Sequence, residues 1–212
     1  MKSLLKSQKA KLFLCLIAAG LVTYLPGSYQ SVANSDEQII DWGKIKSAFD
    51  AFLEYPSPEN SKAFLDSIPK DKTKNERGDK SKIMDYIIDS FNYGILENEI
   101  WAGNRYAVEA AFRLLNFSDG QFAEDLCTTL GTLIRINPRL FLEAIYEYRN
   151  SWFVRVAGPP VHNFDLAYAD RLKAQTYEYK MRIKALESVS DQKYMEIRKV
   201  CVDQLLKAIN EY

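Results

Sequence analysis

The chain of 212 residues is long enough for one or two domains, and 47% hydrophobic with 26% charged residues is an ordinary globular make-up. Nine Gly and seven Pro are too few turn formers for an all-β protein. Lys plus Arg and Asp plus Glu stand at 28 each, so the sequence lacks the basic excess of a nucleic-acid binder.

At the N-terminus Lys2, Lys6, Lys9 and Lys11 make a basic start, followed over 12–25 (LFLCLIAAGLVTYL) by an uncharged apolar run of about 14 residues. That is signal-peptide length, short of the roughly 18 or more expected of a spanning helix. Pro26-Gly27 breaks the run, and Ser31-Val32-Ala33 puts small residues at the two positions a signal peptidase reads. Residues 1–33 therefore read as a signal peptide cut after Ala33, and the protein as exported, periplasmic or secreted. The competing reading is an uncleaved membrane anchor. Cys15 follows Leu14 rather than a small residue, which argues against a lipoprotein. The cut removes four of the 28 basic residues and none of the 28 acidic ones, leaving a net charge of −4.

The rest of the chain is predicted all-α. A first helix spans 36–54, with Ser35 and Gln38 at capping-box spacing and Trp42, Ile45, Phe49 and Phe52 on one stripe. Ser57-Pro58 reads as the N-cap and first residue of a second helix ending before Pro69. These N-terminal helices occupy 34–69. Residues 70–82 (KDKTKNERGDKSK) hold no hydrophobic side chain and are predicted as a charged loop or linker. The helical core spans 83–212. It opens with one helix over 83–97 (Ile83, Ile87, Ile88, Phe91, Ile95) and an Ala-rich one from 99 or 104 to 116. Ser118 and Gln121 form a second capping box before Phe122, Leu126, Leu130 and Leu133, and Asn137-Pro138 starts the next helix. Residues 151–164 (SWFVRVAGPPVHNF) break the pattern at Gly158-Pro159-Pro160. From 164 to 211 the spacing predicts a helical hairpin. Its stripes are Ala169, Leu172, Thr176, Tyr179, Ile183 and Leu186, then Tyr194, Ile197, Cys201, Leu205 and Ala208, with 188–191 as the turn. Short connections make these helices antiparallel pairs, over 83–116, 119–150 and 164–211, stacked as a repeat-like array or an irregular bundle.

The Ala-rich helix, short turn, Leu-rich helix and Asn137-Pro138 turn over 104–148 resemble HEAT or armadillo-type helical repeats. The resemblance covers about a quarter of the chain. It implies a stacked scaffold that binds other macromolecules, and it carries no site residues.

Chemical motifs are sparse. There is no G-x-S-x-G elbow, no phosphate-cradling Gly-rich loop and no H-E-x-x-H. With one histidine, no metal site and no cofactor are expected. Cys127 and His162 form a conceivable nucleophile and base, but Cys127 lies on an apolar stripe where a thiol is a small hydrophobe. Cys127 and Cys201 are also the one possible disulfide of the mature chain. Glu97 and Glu99 flank Asn98 near Trp101, a pair of acids beside an aromatic, yet residues two apart do not share a helix face. The 158–164 turn gives the candidate recognition site: His162 and Asn163 as polar contacts, Trp152 and Phe153 as an apolar floor. Seven Tyr on the C-terminal helices lean the same way, because Tyr favours interfaces. The expectation is an exported, non-catalytic helical interaction protein whose partner is another protein in the cell envelope or outside the cell. Alternatives are a small-ligand carrier with a pocket between helices and a hydrolase of unrecognised class.

Overall fold

The computed structural model describes residues 39–70, 75–150 and 171–210, all within one unit, Asp36–Tyr212. Across these residues the protein is all-α, with a single two-residue strand pair.

That strand pair moves the start of the first helix. Ile40–Asp41 (β1) runs parallel to Glu76–Arg77 (β2), and α1 then spans Trp42–Glu54 rather than beginning at 36. Asp41 is the cap, its carboxylate accepting from the Lys44 amide at 3.1 Å. The Ser35 and Gln38 pattern lies outside the described residues. The predicted stripe of Trp42, Ile45, Phe49 and Phe52 is fully buried. Pro58–Ser67 (α2) starts as read, with Ser57 Oγ accepting from the Asn60 amide at 3.2 Å. Asn60 Nδ2 donates back to the carbonyls of Ala51 and Tyr55, which fixes the turn, and Phe64 stacks into Phe49 and Phe52.

The described part of the charged run from Asn75 onward takes regular structure. Trp42 Nε1 donates to Glu76 at 3.0 Å, and Gly78 turns the chain with φ 95°. Asp79 then caps α3, Lys80–Ile88, before the predicted loop would end. The single helix predicted over 83–97 is two. Asp89 leaves the helical conformation and caps α4, Ser90–Trp101. The break shifts the phase of the buried face. Phe91 is 74% exposed, while Asn92 is buried and donates to the Tyr86 carbonyl at 2.8 Å.

Asn104 opens α5, Arg105–Leu115, by accepting from the amides of Tyr106 and Ala107. Its Nδ2 also donates to Ser61 and Glu99, tying α5 to α2 and α4. Ala107, Ala110 and Ala111 are fully buried, and these small side chains let α2 and α7 approach closely. The second capping box does not form. Ser118 Oγ donates to the Leu114 carbonyl and Gln121 to Asp125, so α6 (Gly120–Ile136) starts after Asp119 without a side-chain cap. The hydroxyl is spent on the helix behind it. Asn137 does cap α7, Pro138–Glu147, with its Oδ1 3.0 Å from the Leu140 amide.

The C-terminal hairpin is α8, Arg171–Glu187, a 3₁₀ turn at Gln192–Tyr194, and α9, Met195–Asn210. Tyr194, Ile197, Cys201 and Leu205 are buried as the spacing predicts. On α8 the inner face holds Tyr179 and Leu186 together with Arg182, a charged residue outside the predicted stripe. Glu178 makes that burial tolerable, since it accepts from Arg182 Nε at 3.1 Å and from Arg135 of α6 at 2.7 Å.

Packing between elements shows a two-layer stack. The pairs are α1 with α2, α4 with α5, α6 with α7, and α8 with α9. First members touch first members, α1 to α4 to α6 to α8, and second members touch second members, α2 to α5 to α7 to α9. The N-terminal helices are therefore the first pair of the same stack. The remaining helix, α3, sits outside this alternation and packs on α1 and α4.

Candidate functional site

A cleft of about 540 Å³ with a mixed lining lies between α3 and the chain entering α6. One wall is a single face of α3: Lys80, Ser81, Met84, Asp85 and Ile88, whose spacing brings them to one side of a helix. The other is the continuous stretch from Phe117 to Phe122. Its two rings are fixed from behind. Phe117 meets Trp42 edge-on at 5.7 Å, and Phe122 meets Tyr93 edge-on at 6.1 Å. Met84 and Ile88 are half-buried and face them, while Lys80, Asp85, Asp119 and Gln121 form a rim of mixed charge. The opening is wide and the floor apolar. Such a surface suits the insertion of apolar side chains.

Sequence reading did not find this site. Its walls are separated by about thirty residues, and of its two rings the spacing places only Phe122, on a buried stripe. The residues singled out instead, Trp152, Phe153, His162 and Asn163, lie outside the described residues. The same holds for residues 1–33.

The other candidates are absorbed by packing. Glu97 accepts from Thr129 Oγ1 at 2.7 Å, and Thr129 in turn lies 2.7 Å from the Tyr93 hydroxyl. Thr129 has one proton to give and gives it to the carboxylate, so Tyr93 is the donor to Thr129. Burial holds the Tyr93 hydroxyl well above the usual phenol range, consistent with a neutral donor. Trp101 closes the cluster by donating to the Thr129 carbonyl at 3.2 Å. Glu99 is engaged separately with Asn104 at 3.0 Å, so the two acids do not face one another as a pair. Cys127 and Cys201 are both free thiols. Burial pushes Cys127 up to about 11 and Cys201 up to about 12, which keeps them protonated and poorly nucleophilic. Among the described residues no three of His, Cys, Asp and Glu come together closely enough to hold a metal ion. No described helix is long and apolar enough to cross a membrane.

The tyrosines divide. Tyr148 and Tyr179 are buried, Tyr177 is 62% exposed, and Tyr146 meets Tyr194 edge-on at 5.6 Å. Arg149 lies 4.1 Å from the Tyr146 ring and Lys193 5.0 Å from it, so the rings are partly covered by their own cations. No family model matches the chain, and neither the curated proteins nor the solved structures contain a match to it.

Proposed function

We propose that the chain is an exported, non-catalytic helical interaction protein that receives a segment of another protein, in the cell envelope or outside the cell, in the cleft between α3 and α6. The observation that carries this reading is the make-up of the cleft. Met84, Ile88, Phe117 and Phe122 give an apolar floor, and a rim of both charge signs surrounds it. That is the layout of a protein interface in miniature, apolar at the centre and polar at the edge. The engagement of Glu97 and Glu99 and the shielding of both thiols support a non-catalytic role. Export rests on the sequence of residues 1–33.

The test is capture from the cell envelope fraction with purified protein, compared with Ile88→Glu and the rim variant Gln121→Arg. The partner is identified by mass spectrometry and rebuilt from purified components. Binding that is lost in both variants at unchanged melting temperature supports the reading; equal binding by all three proteins refutes it. A second reading, a small-ligand carrier, is favoured by the cleft volume of about 540 Å³, inside the roughly 300–1,000 Å³ of small-molecule sites. A thermal shift with apolar small molecules that disappears in Ile88→Glu would favour the carrier.

A further inference from the structure

The exposed side of α8 carries a row of cations with no acid among them. Lys173, Tyr177, Lys180 and Lys184 follow one another at steps of four, three and four, so they share one side of the helix. All four are exposed, Tyr177 to 62%. The row is roughly 16 Å long. Tyr179, Arg182 and Leu186 are buried on the opposite side. Glu178 is the one acid between Lys173 and Lys184, and it is turned inward, 3.1 Å from Arg182 and 2.7 Å from Arg135. Two arginines thus share it, and none of its charge is left for the lysines. Glu187 closes the row, three residues after Lys184.

The other helices treat their surface cations differently. Lys46 on α1, Lys62 on α2, Arg105 on α5 and Arg139 on α7 are each answered one turn on by an acid, Asp50, Asp66, Glu109 and Glu143. On α8 the residue one turn after Lys180 is Lys184, and the one after Lys173 is Tyr177. Among the described residues none of the three lysines has an ion-pair partner. Like charges one turn apart destabilise a helix. A face that only has to be wet is better served by the mixed pairs of the other helices, so solvation does not account for this row. Its charge is left for an anion from outside the chain.

We propose that α8 seats the protein on an anionic lipid surface, the helix lying along the membrane plane with Lys173, Lys180 and Lys184 toward the headgroups and Tyr177 among them. This inference is independent of the cleft reading. Lysine ammonium groups are point charges that ask for no fixed acceptor geometry, which suits a plane of mobile phosphates; the arginines here are turned to Glu178 instead. A protein partner calls for apolar anchors packed in pockets. One amphipathic ring among ammonium groups is instead the make-up of a membrane-interface surface. The chain cut after Ala33 carries a net charge of −4, so an anionic plane repels the molecule at large and attracts it along this row. The helix lies on the membrane without entering it, since no described helix is long and apolar enough to cross.

The test is flotation of the exported form, cut after Ala33, with vesicles of phosphatidylcholine alone or mixed with phosphatidylglycerol. The wild type is expected to float with the mixed vesicles at low salt, to leave them as salt is raised, and to ignore phosphatidylcholine alone. Each of Lys173→Gln, Lys180→Gln and Lys184→Gln is expected to weaken binding about fivefold, and the triple variant at least about fiftyfold. A control that removes three exposed lysines elsewhere, Lys44→Gln, Lys82→Gln and Lys199→Gln, changes the net charge equally and is expected to keep wild-type binding. Circular dichroism verifies that every variant keeps its helices. A triple variant that floats like the wild type, or a control that loses as much as the triple variant, overturns the proposal. So does a wild type that ignores the mixed vesicles; if it then binds polyglutamate through the same lysines, the row belongs to an acidic protein segment instead.

Discussion

The Arg113 guanidinium lies 2.6 Å from the carbonyl oxygen of Ile68, the residue that closes α2. The same nitrogen donates to the Leu65 carbonyl at 2.7 Å, and Nε reaches the Tyr148 hydroxyl at 3.3 Å. One buried cation thus satisfies the orphan carbonyls of the adjacent helix in its layer and complements the negative end of its dipole. Asn116, one turn further along the chain, donates to the Lys70 carbonyl at 2.9 Å and continues the same latch. Replacing Arg113 by Met strands these carbonyls in the interior. Denaturant melts should show a loss of about 3 kcal/mol, and Arg113→Lys, whose donors all sit on one nitrogen where Arg113 uses both Nε and Nη1, should recover only part of it.

Thr129→Val removes the hydroxyl between Tyr93 and Glu97 while keeping its volume. A buried phenol and a carboxylate then lose their shared partner, and urea unfolding should register a loss of about 1–3 kcal/mol. Thr129→Ser keeps the hydroxyl and should cost less than the Val variant.

Leu130 is fully buried on α6. Leu130→Ala should cost about 2–5 kcal/mol, through lost transfer energy and the cavity left behind. A loss below about 0.5 kcal/mol in the same melts would mean that the helix repacks around the gap.

The two thiols should resist alkylation in the native protein at pH 8 and react fully in urea, as peptide mapping of Cys127 and Cys201 would show. Their folded values, about 11 and about 12, stand above the unfolded thiol range. The unfolded chain therefore loses its thiol protons first, and the stability they contribute is complete below about pH 8.5. It falls as pH rises from there through the folded values. Alkaline melts should lose stability over that window, and a Cys127→Ala, Cys201→Ala variant should lose less of it.

Stripes and prolines were legible in the sequence because they are local. Trp42, Ile45, Phe49 and Phe52 needed only helical spacing, and Asn137-Pro138 needed only the geometry of a cap. What escaped depends on contacts far along the chain. Asp89 breaks a helix whose apolar phase continues smoothly through Ile87, Ile88 and Phe91, and its cap on the Phe91 amide and the inward turn of Asn92 toward Tyr86 are seen only in the structure. Ser118 has the right spacing for a cap but bonds backward to Leu114. Arg182 is absent from the predicted stripe because spacing does not show the pairing with Glu178, one turn back, that permits its burial. The cleft was invisible for the same reason: α3 was half hidden in a run of charges, and its opposite wall begins at Phe117.

The alternation of layers has a parity. Each pair adds one helix to either layer, so a single inserted helix within the alternation would exchange the layers of everything after it. Lys80–Ile88 escapes that rule by packing across α1 and α4 instead of taking a place in either row. It is an appendix to the stack, and the cleft exists only because the appendix is there. Its own apolar side, Ile83 and Ile87, is nevertheless buried with the core. The cleft is thus a feature added beside the alternation of layers and not a product of it.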